Sequence, residues 1–338
     1  MNTNVGFLLI LSCYTTLLFS HVSCNQDGEL SPPTKRCDYA TFHRLFAADC
    51  SSLSLTSVPQ HVNPDIMVLD LHDNRLRILT ESSFLHLPNL KILYLYDNEI
   101  RAIDSHTFDP LSKLETLDLK GNLLKSLNFV YPKSLVRLYV GNNPIMPDQL
   151  NLHTAHSLQF LSLQKSAYTQ VPDIGALPNL VELDLTRNAI TNLSSLQLAP
   201  FCRLQMLLLD DDVFPDKEMF CDCERLKSYT MAKNIVVKPG LECKPDESQT
   251  PESCPPPVIP DETLSRFSSC QSEWDSRQFP HWAISSLLLV LFAACVAVGI
   301  VLWRRRRDAT RRKKSTAAVD KESKTKEPEA KTEPALLA

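Results

Sequence analysis

Seven segments of this chain repeat one pattern, and that pattern constrains the fold more than any other feature. Leu90-Lys-Ile-Leu93-Tyr-Leu95-Tyr-Asp-Asn98-Glu-Ile100 has the form L-x-x-L-x-L-x-x-N-x-L. The form begins again at Ile66, Leu114, Leu135, Leu158, Leu180 and Leu204, in steps of 21 to 24 residues. Residues two apart on a strand point to the same side. Leu69 and Leu71, Leu93 and Leu95, and Leu117 and Leu119 therefore face one interior, and the residue between each pair faces out. Asn74, Asn98, Asn122, Asn143 and Asn188 fall at the bend after the strand, where an inward amide satisfies backbone groups freed by the turn. Ser166 and Asp212 stand there in repeats five and seven. Phe84 and Phe108 lie eighteen residues into their repeats and are predicted to fill the core from the opposite side, a place taken by Leu198 in repeat six. One such unit cannot bury its apolar face alone, so the units must stack into a quasi-linear array.

The cysteines bracket this array. Eight of the 11 lie between the two apolar segments described below: Cys37, Cys50, Cys202, Cys221, Cys223, Cys243, Cys254 and Cys270. An even number at the ends of a cysteine-poor centre points to disulfide-stapled caps in an oxidising compartment. Cys221-Asp-Cys223 lacks the paired C-x-x-C or histidine partner of a zinc site.

Over roughly residues 50–243 the chain resembles the extracellular leucine-rich repeat family. The resemblance implies an α/β solenoid, with a curved parallel sheet on the concave face and irregular or 3-10 segments on the convex one. Cys37 to Cys50, followed by strand-like Leu53-Ser-Leu55, resembles the family's amino-terminal cap and implies a Cys37–Cys50 bond. Cys221-Asp-Cys223, Leu226 and Cys243 resemble its carboxy-terminal cap. In that cap type the first cysteine pairs with the third and the second with the fourth. The implied bonds are Cys221–Cys243 and Cys223 with Cys254 or Cys270, of which Cys223–Cys270 is the choice carried forward. Cys202 has no counterpart in the family pattern.

Two apolar segments point to a membrane. Residues 1–24 carry no charge and end on Val22-Ser23-Cys24, which reads as a secretory signal peptide. Ala283 to Leu302 is uncharged, is flanked by Trp282 and Trp303, and is followed at once by Arg304-Arg305-Arg306-Arg307. Twenty residues at ~1.5 Å each span a bilayer core of ~30 Å, and the arginines mark the cytoplasmic side. The expected organisation is a signal peptide (1–24), an amino-terminal cap (25–65) and seven repeats (66–215). A carboxy-terminal cap running into a stalk (216–270), a juxtamembrane stalk (271–281), a transmembrane helix (282–303) and a disordered basic tail (304–338) follow. The stalk reading extends over 244–281, which holds seven prolines. A tail of this length has no room for a catalytic or Toll-type signalling domain. The topology is single-pass, type I, at the plasma membrane.

Function must then come from the outward columns of the sheet. The column between the paired leucines reads Asp70, Tyr94, Asp118, Tyr139, Ser162, Asp184, Leu208. Two residues earlier stand Val68, Ile92, Thr116, Arg137, Phe160, Glu182, Met206, and two later His72, Tyr96, Lys120, Gly141, Gln164, Thr186, Asp210. Tyr94, Tyr96, Tyr139 and Phe160, with Asp70, Asp118 and Arg137 around them, form the candidate ligand-binding patch, because exposed aromatics among charges are what protein interfaces use. Asn192-Leu-Ser194 is a glycosylation sequon. His153, His156 and the Asp210-Asp211-Asp212 triplet lack a metal-site pattern and read as solvated, so no metal and no cofactor are expected. The tail carries a net +6 and the remainder −10, which argues against nucleic acid as a partner of the outer part. With 7 glycines and no G-x-G-x-x-G, G-x-S-x-G or H-E-x-x-H, the chain reads as a non-enzyme. The expected partner is an extracellular protein or partner receptor, with homophilic contact possible in principle and innate immune recognition as the alternative.

Overall fold

The computed structural model describes residues 36–245 except 212 and 215, residues 254–278 except 257, and residues 281–324. The expected signal peptide and Asp212 lie outside the described residues. The chain divides into two compact units, one ending at Trp274 and the other beginning at Asp275.

The first unit is a solenoid built on one ten-stranded sheet. A hairpin opens it: β1 (Asp38–Phe42) pairs antiparallel with β2 (Leu45–Asp49) across His43 and Arg44, both at positive φ. A two-residue turn with positive φ at both positions matches the right-handed twist of the strands. The strands of this cap are thus 38–42 and 45–49; Leu53–Leu55, read as strand-like, forms none. Six repeat strands of three residues follow in parallel: β3 (Val68–Asp70), β5 (Ile92–Tyr94), β7 (Thr116–Asp118), β8 (Arg137–Tyr139), β9 (Phe160–Ser162) and β10 (Glu182–Asp184). The seventh, β11 (Met206–Leu208), is followed by β12 (Val236–Lys238) from the cap. A separate parallel pair, β4 (Ile78–Leu79) with β6 (Ala102–Ile103), lies outside this sheet.

The register aligns the paired leucines, and all are fully buried through Leu119. Asn98 shows how one amide serves two repeats. Its Nδ2 donates to the carbonyls of Leu95 and Tyr96 and to Leu71 of the repeat before, while its Oδ1 accepts from the N–H of Leu76. Asn74, Asn122, Asn143 and Asn188 repeat the arrangement. The residue before each of these turns is left-handed: Asp73, Asp97, Gly121, Asn142, Lys165 and Arg187 all have φ between 53° and 64°. Phe84 and Phe108 do fill the far side of the core, with centroids 6.0 Å apart, and the row continues through Phe129 (5.0 Å) and Tyr131 (4.7 Å). Leu198 is buried as well.

Four α-helices and two short 3-10 helices, Pro147–Gln149 and Lys217–Met219, complete the described residues. The short α1 (Ser195–Leu198) carries a capping box of Ser194 and Gln197. α2 (Phe220–Ala232) is the cap helix, α3 (Asp261–Gln278) follows, and α4 (His281–Lys324) makes up most of the second unit.

The cap bonds correct the pairing implied by resemblance. Cys37 is bonded to Cys50, but Cys221 is bonded to Cys254 and Cys223 to Cys243, not Cys221 to Cys243 and Cys223 to Cys270. Helix phase supplies the reason. Two residues on a helix turn through ~200°, so Cys221 and Cys223 point to opposite sides of α2. Cys223 shares the buried face with Leu226 and Tyr229 and meets Cys243 just after β12; Cys221 faces outward to the later cysteine. Cys270 bonds Cys202, across a separation of 68 residues.

The stalk reading also needs correction. Residues 261–278 are helical, and Thr263, Phe267, Cys270 and Trp274 recur at the spacing of one helix face. That face is tied to the solenoid: Thr263 lies 3.5 Å from Ser195, Lys233 stands over the Phe267 ring at 3.7 Å, and Arg203 over the Trp274 ring at 4.7 Å.

In the second unit, Ser285–Asp308 of α4 is long and apolar enough to cross a membrane, and it is the one such segment among the described residues. The helix continues to Lys324, so 304–324 is not the disordered segment expected. Arginine, lysine and alanine favour helix, and no glycine or proline interrupts between Gly299 and Pro328. The end of the expected tail, 325–338, lies outside the described residues.

Candidate functional site

Each outer column of the sheet is set by register. Asp70, Tyr94, Asp118, Tyr139, Ser162, Asp184 and Leu208 stand in line, as do Val68, Ile92, Thr116, Arg137, Phe160, Glu182 and Met206. Three-residue strands leave no room for slippage, because a one-residue shift would drive the core leucines outward.

The four aromatics come together around a lysine. Tyr139 and Phe160 are in contact at 4.7 Å between centroids. Tyr94 and Tyr96 meet edge to face at 6.2 Å. Lys120 bridges the two pairs, its Nζ 5.2 Å from the Tyr96 centroid and 5.4 Å from that of Tyr139. The same Nζ pairs with Asp118 Oδ2 at 3.0 Å. His72 stacks on Tyr96 at 4.5 Å and binds Asp70 Oδ1 through Nδ1 at 2.7 Å. Sequence reasoning placed Lys120 and His72 in the third column but left them out of the patch. Their signal was there: they flank Tyr96 in that column, and a cation beside a ring is attracted to its face.

The carboxylates differ from their expected role. Asp70, Asp118 and Asp184 each accept the N–H two residues on through Oδ1, at 3.0 Å. They hold the chain where it leaves the strand. Asp118 is only 4% exposed, so it positions Lys120 and offers little surface to a ligand. Burial pushes its carboxyl above the ordinary value, while hydrogen bonds and charge from Lys120 pull it back. Burial, reinforced by Asp70 and Asp118, raises the Tyr94 and Tyr96 phenols; burial also raises that of Tyr139. All three stay protonated at neutral pH, able to donate as well as accept.

Arg137 is exposed and borders Phe160 on one side, with half-buried Glu182 on the other. Beyond Phe160 the face turns polar: Ser162 Oγ donates to Asp184, and Gln164 Nε2 to Thr186 Oγ1, both at 3.0 Å. Asn192 is exposed just before α1. Among the described residues, no group of three or more His, Cys, Asp or Glu is placed to hold a metal.

Comparison with known proteins agrees with this architecture. Residues 64–124 and 88–145 match the model of the leucine rich repeat family. The chain is 33% identical to Homo sapiens Toll-like receptor 2 over 115 residues, covering 34% of this chain and 14% of the receptor. It is 36% identical to Ovis aries decorin over 196 residues, covering 50% of this chain and 54% of decorin. The chain therefore spans a small part of the first relative and about half of the second. The crystal structure of a TLR13–ssRNA13 complex aligns at a TM-score of 0.43 and 22% identity, covering 53% of this chain and 33% of that one. The solenoid is a leucine-rich repeat array, and the array, its four disulfides and one membrane-length apolar helix together fit a leucine-rich repeat single-pass membrane protein.

Proposed function

We propose that this chain is a cell-surface binding protein that captures another extracellular protein on the outer face of its sheet. The observation that carries the reading is the cluster of Tyr94, Tyr96, Tyr139 and Phe160 drawn together by Lys120. Half-buried aromatic rings are already ordered by their neighbours, so a partner that covers them loses little side-chain entropy. Four disulfides favour an oxidising compartment, and the arginines after the apolar segment favour an extracellular solenoid at the plasma membrane. The same compartment favours a glycan on Asn192. The reading is of a binding module without catalysis. The 33% identity to a Toll-like receptor over 115 residues favours a second form of this reading, a co-receptor in innate immune recognition.

The test displays the full chain on cells and applies a membrane-impermeant cross-linker. A Tyr139→Ala/Phe160→Ala variant delivered to the surface in equal amount is expected to lose the cross-linked protein partner. Identical cross-links from both chains would exclude the outer face as the binding surface, and capture of single-stranded RNA alone would replace the protein partner with a nucleic acid.

A further inference from the structure

We propose that the first sugar of a glycan on Asn192 seats in a groove between repeat six and α3 and clamps the amino-terminal end of that helix to the array. This rests on the extracellular placement proposed above and is independent of what the outer face binds.

Asn192-Leu193-Ser194, the one sequon of the chain, leads directly into α1. Leu193 is buried, and the Gln197 side chain accepts the Ser194 N–H at 2.8 Å, so the backbone beyond Asn192 is fixed. Asn192 itself is exposed and forms part of the wall of a groove of about 350 Å³. Two other elements complete that wall: Asp222, Arg225 and Leu226 of α2, and Pro260, Glu262 and Thr263 at the start of α3. Ligand sites run from ~300 to ~1,000 Å³, so the groove has room for a small occupant.

The lining suits N-acetylglucosamine, which joins an apolar ring face to a rim of hydroxyls and an acetamide. Half-buried Leu196 and exposed Pro260 offer the apolar contact. Asp222 and Glu262 are exposed and Arg225 is half-buried. Asp222 Oδ1 accepts from Arg225 at 2.8 Å, which leaves its second oxygen to accept and further guanidinium N–H groups to donate. Glu262 makes only a loose pair with Arg266 of its own helix, at 3.5 Å. Carboxylates take the sugar's hydroxyl protons and the guanidinium takes its acetyl carbonyl. Two carboxylates against one guanidinium disfavour an anion in the same place.

Tethering selects the occupant. Attachment joins Asn192 Nδ2 to C1 of an oligosaccharide carried on a lipid pyrophosphate. The N–C bond forms, the C1–O bond breaks, the pyrophosphate leaves with that electron pair, and the amide gives up one proton. The first sugar is then held at the groove's own wall, and its contact avoids most of the association cost borne by a free ligand. The contact falls at the less restrained end of α3. Further along, that helix carries the bond from Cys270 to Cys202 and the Phe267 and Trp274 rings beneath Lys233 and Arg203. Its first turn meets the array through Thr263, 3.5 Å from Ser195.

Hydrogen exchange on the full chain in detergent tests the clamp. Cells that leave glycans in the high-mannose form supply the protein, and endoglycosidase H trims the glycan to a single sugar without unfolding the chain. The trimmed chain is expected to exchange residues 261–266 as slowly as the chain with the intact glycan. Asn192→Gln, delivered to the surface in equal amount, is expected to exchange them about tenfold faster while repeats one to three are unchanged, because local opening loses a restraint. Arg225→Ala lies on α2 and separates the sugar contact from damage to α3. It should quicken the same amides in the glycosylated chain and add nothing to Asn192→Gln. Equal exchange with and without the glycan, a trimmed chain that behaves like Asn192→Gln, or an Arg225→Ala effect that persists without the sugar would each overturn the proposal. So would surface-delivered chain with no glycan on Asn192, and the reading of the outer face would then stand. A chain that never reaches the surface removes the extracellular placement, and both fall.

Discussion

The two halves of the repeat array are held by different means. In repeats one to four the asparagine ladder is continuous. The carbonyls of Leu71, Leu95 and Leu119 each accept from two ladder amides, their own and the next repeat's. The Phe84-Phe108-Phe129-Tyr131 row runs behind the same repeats. From repeat five the regularity ends. Ser166 breaks the ladder, Lys165 and Arg187 occupy left-handed positions that other repeats give to Asp, Asn or Gly, and Leu198 stands where phenylalanine stood. There α3 and its bond from Cys270 to Cys202 supply the constraint from a distant part of the chain. The lesson is that local repetition and long-range stapling substitute for one another, and the array uses each where the other is absent.

The sharpest way to break the regular half is Asn122→Ala. It removes one of the two donors to each of the Leu95 and Leu119 carbonyls, and it leaves the buried N–H of Ile100 unpaired. An unpaired buried donor costs ~1–3 kcal/mol and each further lost bond ~0.5–1.5 kcal/mol, so a loss of ~4 kcal/mol is expected in denaturant unfolding of the full chain. The equivalent change in the irregular half, Ser166→Ala, should cost well under ~1 kcal/mol, since Ser166 serves the ladder only through its backbone N–H. Equal losses at the two sites would refute the distinction.

The irregular half should answer instead to its staple. Cys202→Ser/Cys270→Ser opens a 68-residue separation, for which chain entropy gives about 4 kcal/mol. The expected signature is local. Amide exchange should quicken in repeats six and seven and in α3 while repeats one to three keep their protection. Uniform loss of protection would mean that the array is one cooperative block and that the halves are not separable.

How far these features could be read from sequence follows the same division. The strand columns were readable because a period of two inside a period near 24 leaves one consistent orientation for every leucine. Tyr94, Tyr96, Tyr139 and Phe160 came out as neighbours for that reason. What escaped was what repetition does not encode. Thr263, Phe267, Cys270 and Trp274 mark a helix face, but the prolines from Pro245 to Pro260 and the abundant Ser, Asp and Glu masked it as a stalk. The cap pairing was taken from family habit, whereas the helix phase of Cys221 and Cys223 decides it. Asp118 was counted as surface because its column faces outward. Lys120 and the neighbouring rings cover it, and that depends on side-chain size in adjacent repeats.

A smaller contrast lies in the turns. Gly121, at φ 64°, sits where an added Cβ would run into the Asp97 carboxylate, so Gly121→Ala should destabilise the regular half by ~1–2 kcal/mol. In the irregular half Ala167 itself has φ 57°, a conformation that glycine adopts without the Cβ penalty. Ala167→Gly should therefore stabilise by ~0.5 kcal/mol, the penalty relieved being partly offset by greater freedom in the unfolded chain. Melting temperatures that move in opposite directions would confirm that the turn of repeat five is strained and that of repeat three is not.

The smallest expected effect concerns charge, and it tests how the regular half holds Lys120 between Tyr96 and Tyr139. Burial holds the Asp118 carboxyl above its ordinary value of 3.8. A carboxyl whose folded value exceeds its unfolded one binds its proton more tightly when folded, so stability falls as pH rises from the unfolded value through the folded one. Asp118→Asn cannot ionise and should flatten that segment of the profile, with the variant gaining relative to wild type above it. The gain is limited because the substituted amide gives up the 3.0 Å ion pair that holds Lys120 between Tyr96 and Tyr139. Stability measured across this acid window should separate the two chains on its alkaline side. Parallel profiles would mean that Lys120 fully offsets the desolvation of Asp118, and that the lysine is held over the rings at no electrostatic cost to the fold.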